Sequence, residues 1–225
     1  MQPIYKIAIS GATGQTGQQI VNEVLHRGHQ AHCLVRKHLD QPKHLHHTNE
    51  VVSTHDPHSI DKALTGCDTL IIAMGARPSF NLLAPRHVDY LGTVAQIKSC
   101  SRIGIKRVIL VTSLCTGKWI HFLNVFGLVL IQKRKSERVL EASNLNWTII
   151  RPGQLINQQS DLEQHGIYYS GPNTQTWGSI PRKILARICV DAAETPCSHG
   201  KIIEVTSSVS QSIIGFKEAV RQLPT

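Results

Sequence analysis

The residues of this chain predict an α/β fold, a doubly wound parallel sheet with helices on both faces. Three observations carry the prediction. Short aliphatic runs alternate with segments of helical periodicity along the whole chain, the pattern of successive βαβ units. A glycine-rich turn joins the first run to the first helix. Apolar residues make up 41% of the chain but aromatics only 5%, which suits a parallel sheet buried on both faces by Val, Ile and Leu. With 225 residues, no internal repeat and no separating linker, a single domain over residues 1–225 is expected.

Each element has its own signal. Tyr5 to Ser10 is the first buried strand. Gln15 to Arg27 follows as a helix, with Ile20, Val21, Val24 and Leu25 on one face and Gly28 just past its end. Ala31 to Val35 is the second strand, Val51 to Ser53 a weaker third, and Ile60 to Leu64 a short helix stopped by Gly66. Thr69 to Met74 is a fully apolar fourth strand, Val88 to Ile103 a helix, and Lys106 to Thr112 the fifth strand. Gln132 to Ala142 is helical and Trp147 to Ile150 supplies the sixth strand. Residues 158–179 are rich in Gly, Ser, Asn and Gln and predict a small irregular excursion on the substrate side. A helix over Ile184 to Ala193, a seventh strand over Lys201 to Thr206 and a closing helix over Ile213 to Leu223 complete the chain.

Composition removes several functional classes. The formal charge is +9, but the basic residues are scattered with no stacking aromatics between them, so no nucleic-acid partner is expected. A basic surface with a pocket for an anionic cofactor accounts for the charge. His44, His46 and His47 sit in a polar stretch without metal-ligand geometry, so no metal is expected. Cys33, Cys67, Cys100, Cys115, Cys189 and Cys197 form no C-x-x-C pair and lie in or beside apolar runs. They are expected as reduced thiols in a cytoplasmic protein, since the N-terminus enters a strand with no secretory segment. The longest apolar stretch, Trp119 to Ile131, is interrupted by His121 and Asn124 and is too short to span a bilayer. It is the candidate contact for a membrane surface or a protein partner.

The chemistry starts at Gly11-Ala12-Thr13-Gly14-Gln15-Thr16-Gly17, which leaves the first strand and opens the first helix. In that position the first glycine makes the tight turn, the second admits a pyrophosphate to the backbone, and the third lets the helix pack on the sheet. The helix N-terminus adds free N–H groups and a positive dipole end, and Thr13 and Thr16 can add hydroxyls. This is the loop of a Rossmann-type dinucleotide site. At the end of the second strand, where NAD sites place an acid against the ribose hydroxyl, stand Arg36, Lys37 and His38. Arg36 suits a 2′-phosphate, so NADP(H) is favoured over NAD(H).

Taken in order, IAISGATGQTG, LVRK, ALTGCDTLIIAMGARP, HVDYLGTVAQIKSCSRIGIKRVILVTSL and KRKSERVLEASNLNWTIIRPGQL resemble the atypical short-chain dehydrogenase/reductases of the NAD(P)-binding, NmrA-like type. The resemblance covers nearly the whole chain. It implies about seven strands in the order 3-2-1-4-5-6-7. It also implies that Asp56 faces the adenine, and that Ala73, Met74 and Gly75 line the adenine ribose and pyrophosphate. Thr112 and Ser113 would lie near the nicotinamide ribose, and Arg151-Pro152-Gly153-Gln154-Leu155 would pass beside the nicotinamide. Lys133 matches the lysine of the family's Y-x-x-x-K motif. Two plainer readings stay open: Asp56 as the N-cap of the helix from Pro57, and Lys133 as a solvated cation within Lys133-Arg134-Lys135.

One departure bears on function. Four residues before Lys133, where the motif has tyrosine, this chain has Val129. The usual general acid is therefore missing, while Ser113 and Lys133 remain as the catalytic candidates. Tyr168, Tyr169 and His121 are the substitutes on offer. A flavin or quinone acceptor survives the loss, because such rings take their protons from water and ask mainly for orientation. Trp119, Phe122, Tyr168 and Trp177 are the aromatics that such a ring could stack on. The sequence thus predicts an NADP(H)-dependent reductase of a small-molecule acceptor, with a non-catalytic NADP(H)-binding sensor or assembly factor as the alternative.

Overall fold

The computed structural model describes residues 3–37, 45–53, 56–75, 86–116, 128–158 and 160–224. At its centre is β1 (Lys6–Ser10), whose Ile7, Ala8 and Ile9 have no solvent exposure. It pairs in parallel with β2 (Gln30–Val35) on one side and with β4 (Thr69–Ile72) on the other. Beyond β2 lies β3 (His47–Val51). Beyond β4 come β5 (Arg107–Val111), β6 (Asn146–Pro152) and β10 (Lys201–Ser208), all parallel. An eighth strand, β8 (Gly166–Ser170), runs antiparallel along β10. The order is β3-β2-β1-β4-β5-β6-β10-β8. The expected order is present through seven places, and one antiparallel strand is added at the edge.

Two layers cover the sheet. α1 (Gln15–His26), α5 (Arg182–Glu194) and α6 (Phe216–Gln222) bury Ile20, Val24, Ile184, Ile188 and Val220 against one face. α2 (Pro57–Leu64), α3 (Thr93–Ile103) and the end of α4 (Val129–Glu141) bury Ile60, Leu64, Ile97 and Leu140 against the other. All parallel strands end at one rim, and the order reverses between β1 and β4. That reversal is the place where open α/β sheets form a ligand crevice.

Several boundaries differ from expectation. The third strand is His47–Val51 rather than Val51–Ser53. As an outer strand with Thr48 exposed and Asn49 and Glu50 only half-buried, it shows no apolar run to read. The helix expected from Val88 is instead a π-helical segment, Arg86–Gly92, that continues into α3. The excursion expected to be irregular contains β8, and its end joins β9 (Ser179–Pro181), which pairs with β7 (Gln154–Ile156) in a separate two-stranded ribbon. The closing helix starts at Phe216, three residues after Ile213. Trp119, His121 and Phe122, with most of the apolar stretch that holds them, lie outside the described residues, as does His44.

Candidate functional site

The turn out of β1 explains its three glycines in three different ways. Gly11 has φ +84°, and a Cβ there would stand 2.7 Å from the Ala73 carbonyl oxygen at the end of β4. At Gly17 a Cβ would fall 2.0 Å from the Gly11 carbonyl oxygen, so this residue must be bare for α1 to lie against the turn. Gly14 is the exception. Its φ of −79° and ψ of 162° are ordinary extended backbone, and a Cβ would meet only the Gly11 oxygen, at 3.2 Å. Folding therefore asks little of Gly14, whereas a phosphate approaching the backbone asks for a residue without a side chain.

Gly14 is also the N-cap of α1. No side chain caps this end, and the first turn holds no acid. The N–H groups of Gln15, Thr16 and Gly17 and the positive end of the helix dipole are thus left for an anion. Thr13 is exposed and Thr16 half-buried at the same turn. A cavity flanks the loop on its α5 side, where Gln15, Gln18 and Gln19 face Ile156, Asn157, Gln158, Arg182 and Lys183. The bare Gly14 and the uncapped start of α1 fit the pyrophosphate of a dinucleotide, which when bound would supply a hydride from its nicotinamide ring.

The remaining sequence-predicted residues fall into two groups. Gly11, Ala73, Met74, Gly75, Thr112, Ser113, Pro152 and Gly153 all lie at or just past the C-terminal ends of β1, β4, β5 and β6, on one rim. Backbone bonds lock this rim together: the Ala73 N–H donates to the Ser10 carbonyl at 2.9 Å, and the Leu114 N–H to the Pro152 carbonyl at 2.9 Å. Arg36 and Asp56 stand on the flank. Arg36 is exposed immediately after β2. Asp56 caps α2, accepting the His58 N–H at 3.0 Å, with Pro57 in the first turn. The capping role is therefore present, and the carboxylate remains exposed beside it.

Lys133 is not a solvated surface cation. Its ammonium lies 3.0 Å from the Asp89 carboxylate, with the two side chains 13% and 1% exposed. A Cβ built on Gly75 would lie 3.9 Å from Lys133 Nζ and 3.8 Å from Asp89 Oδ1. The lysine is thus held over the end of β4 by a buried acid from the π-helical segment. The Ser136 hydroxyl of α4 donates to the Asp89 backbone carbonyl and ties the two elements together. Sequence reasoning missed Asp89; its signal is a lone carboxylate among the apolar residues of HVDYLG. Val129 is half-buried in the first turn of α4, one turn before Lys133.

A second set of buried ions was also missed. Arg151 donates to both oxygens of Glu137, at 3.0 and 2.7 Å, and lies 3.4 Å from Glu204. Glu137 further accepts from the Thr112 hydroxyl at 2.7 Å and from Arg134 at 3.1 Å. Glu204 accepts the backbone N–H groups of Asn173, Thr174 and Gln175 at 2.7, 2.9 and 2.7 Å. Hence the side chains of Thr112 and Arg151 serve this network. The favourable charge pairs hold the Arg151 guanidinium in its charged form despite the cost of burial, raising its pKa. The network fixes α4, β6, β10 and residues 173–175 to one another, and with α4 it fixes Lys133.

The substitute acids separate in space. Tyr169 packs edge-on against Phe216 of α6, 5.8 Å between ring centres, and burial raises its phenol well above the ordinary range. Tyr168, on the opposite face of β8, is 43% exposed. Ser113 is half-buried, and its hydroxyl donates to the Leu114 carbonyl at 3.1 Å.

With this geometry in hand, comparison with known proteins gives the family. Residues 11–196 match a family model described as NAD(P)H-binding. An uncharacterized chloroplastic protein of Arabidopsis thaliana is 31% identical over 95% of this chain and 80% of its own length. Sanguinarine reductase of Eschscholzia californica is 27% identical over 97% of this chain and 96% of its own length. Photosystem II assembly factor Ycf39 of Synechocystis is 26% identical over 90% of this chain and 63% of its own length. The chain spans only 32% and 38% of the lengths of the chloroplastic TIC 62 proteins of Pisum sativum and Arabidopsis thaliana. Among solved structures, an oxidoreductase from Lactococcus lactis superposes with TM-score 0.79 at 24% identity, covering 96% of this chain and 95% of that one. A short-chain dehydrogenase/reductase from Veillonella parvula in complex with NADP gives TM-score 0.71 at 23% identity, over 90% and 95% of the two chains. The glycine turn, the rim and the matched family agree, and the chain belongs to the NAD(P)H-binding family.

Proposed function

We propose that this protein is an NADP(H)-dependent reductase whose second substrate is a flavin, a quinone or a similar planar acceptor. One juxtaposition carries the reading: Lys133 is held at the rim by Asp89, while Val129 occupies the place of the proton-donating phenol. Gly14 and the first turn of α1 bind the pyrophosphate. Lys133 hydrogen-bonds the nicotinamide ribose, Ser113 orients the acceptor, and Pro152 and Gly153 wall the ring. Arg36, exposed past β2, selects the 2′-phosphate of NADP(H) over NAD(H). Asp56 borders the adenine from the α2 cap. An aliphatic side chain at position 129 can neither donate a proton nor bind a carbonyl, so the acceptor must be one that takes its protons from water. The relative named for the reduction of sanguinarine supports a reductase.

Steady-state NADPH oxidation against flavins, quinones and aldehydes tests the reading. Ring acceptors should turn over, and aldehydes should lag by about 10²–10⁴-fold, the usual worth of a positioned acid. Val129→Tyr should raise aldehyde reduction. Robust aldehyde reduction by the wild type would contradict the proposal.

A second reading takes the protein as a non-catalytic NADP(H)-binding sensor or assembly factor. Val129 favours it, as does the relative named as an assembly factor. Tight NADPH binding with no turnover of any acceptor would select this reading, with residues 119–131 as its partner contact. Among the described residues no helix is long and apolar enough to cross a membrane. A cytoplasmic location is part of the proposal, although several relatives are named as chloroplastic.

A further inference from the structure

We propose that Trp177, presented with Tyr168 on a clamped loop at the rim, is the platform on which the planar acceptor stacks. The inference rests on the reading of the chain as a reductase of such acceptors and supplies its specificity residue. Trp177 is 85% exposed, an unusual place for the largest apolar side chain. Exposure alone would mean little on a loose loop, but this loop is tightly held. Before Trp177, Glu204 collects three consecutive backbone N–H groups from Asn173 to Gln175. The Gln175 side chain is buried, and its amide nitrogen lies 3.0 Å from each of the Tyr168 carbonyl, the Ser170 hydroxyl and the Glu204 carbonyl, among which its two N–H donors are shared. The Thr206 hydroxyl donates to the same side chain at 2.7 Å.

The anchors on either side of the tryptophan reach the site. Thr176 accepts the Cys115 thiol at 3.7 Å, two residues past Ser113. Gly178 accepts the Gln154 N–H at 2.8 Å and lies so close to Gly153 that a Cβ there would stand 2.5 Å from its oxygen. Trp177 is therefore fastened between the loop after β5 and the end of β6, the two segments that flank the proposed nicotinamide position. Tyr168 is the register partner of Thr206, whose methyl group lies directly under Gly178. Tyr168 thus lies on the face of β8 over which this loop folds, and both aromatics are exposed. Rigid aromatic surface at a site favours a flat, conjugated ligand, which stacks without ordering further side chains.

Riboflavin, fluorescent and planar, is the probe. Its fluorescence anisotropy is titrated with the NADP⁺-loaded protein, so the readout does not depend on turnover. Wild type should bind it, Trp177→Ala should weaken binding by about 5- to 150-fold, the usual range for one lost stacking aromatic, and Trp177→Phe should restore most of it. NADPH affinity, measured in parallel, should be unchanged in both variants. Riboflavin that fails to bind wild type, or binds Trp177→Ala equally well, overturns the proposal even if NADPH binding and turnover stand. Loss of NADPH binding by the wild type would instead remove the cofactor reading itself.

Discussion

At the scale of single residues, the glycine turn separates what the fold requires from what a ligand requires. Gly11 and Gly17 answer to close backbone contacts, and Gly14 answers to nothing in the protein that a small displacement would not relieve. The same separation applies to the cations. Lys133 and Arg151 are claimed by carboxylates, whereas Arg36 stands exposed beyond β2 with Lys37 beside it. A charge-assisted bond from Arg36 to a 2′-phosphate predicts tighter binding of NADPH than NADH by about 10- to 150-fold. Arg36→Asp should reverse the order, since a carboxylate repels the phosphate and accepts from a ribose hydroxyl. Dissociation constants of both cofactors on both proteins decide it, and equal wild-type affinities would reduce Arg36 to a surface charge.

At the scale of elements, buried ions fix the geometry that the strands only outline. Glu137 and Arg151 join α4 to β6, and Glu204 extends the network through β10 to residues 173–175. Removing Glu137 takes the bidentate partner from the buried Arg151 guanidinium and leaves it the longer contact to Glu204, so Glu137→Ala should cost about 3–5 kcal/mol of stability in urea unfolding. A cost below about 1 kcal/mol, the scale of an exposed pair, would show that the network bears little load. These ions were hard to read because their partners lie far apart in the chain. Glu137 does share a helical face with Leu130 and Leu140, and Arg151 follows the buried Ile149 and Ile150, so each left a trace without naming its partner. The strands divide along similar lines. β1, β2, β4, β5, β6 and β10 carry buried runs and were legible within a few residues. β3 and β8 lie at the edges, and β7 and β9 are three residues each, so pairing defines them more than composition does.

At the scale of the whole molecule, one parallel sheet brings distant sequence blocks to a single rim, which is why the shared placement of the candidate cofactor residues was legible in the sequence. Each loop there follows a buried strand, and the strand order sets its place along the rim. The side proposed for the acceptor was less legible because it depends on the 173–178 loop, whose placement comes from Glu204 and Gln175 rather than from any periodic pattern. The central claim is that the turn after β1 holds the dinucleotide pyrophosphate. Titration calorimetry of NADPH into wild type and Gly14→Val, with circular dichroism on both, tests it most directly. The valine backbone is compatible with the extended conformation at this position, and its side chain would fill the space left for the phosphates. The account predicts two folded proteins, of which only the wild type binds. A folded Gly14→Val that bound NADPH as tightly as wild type would contradict it.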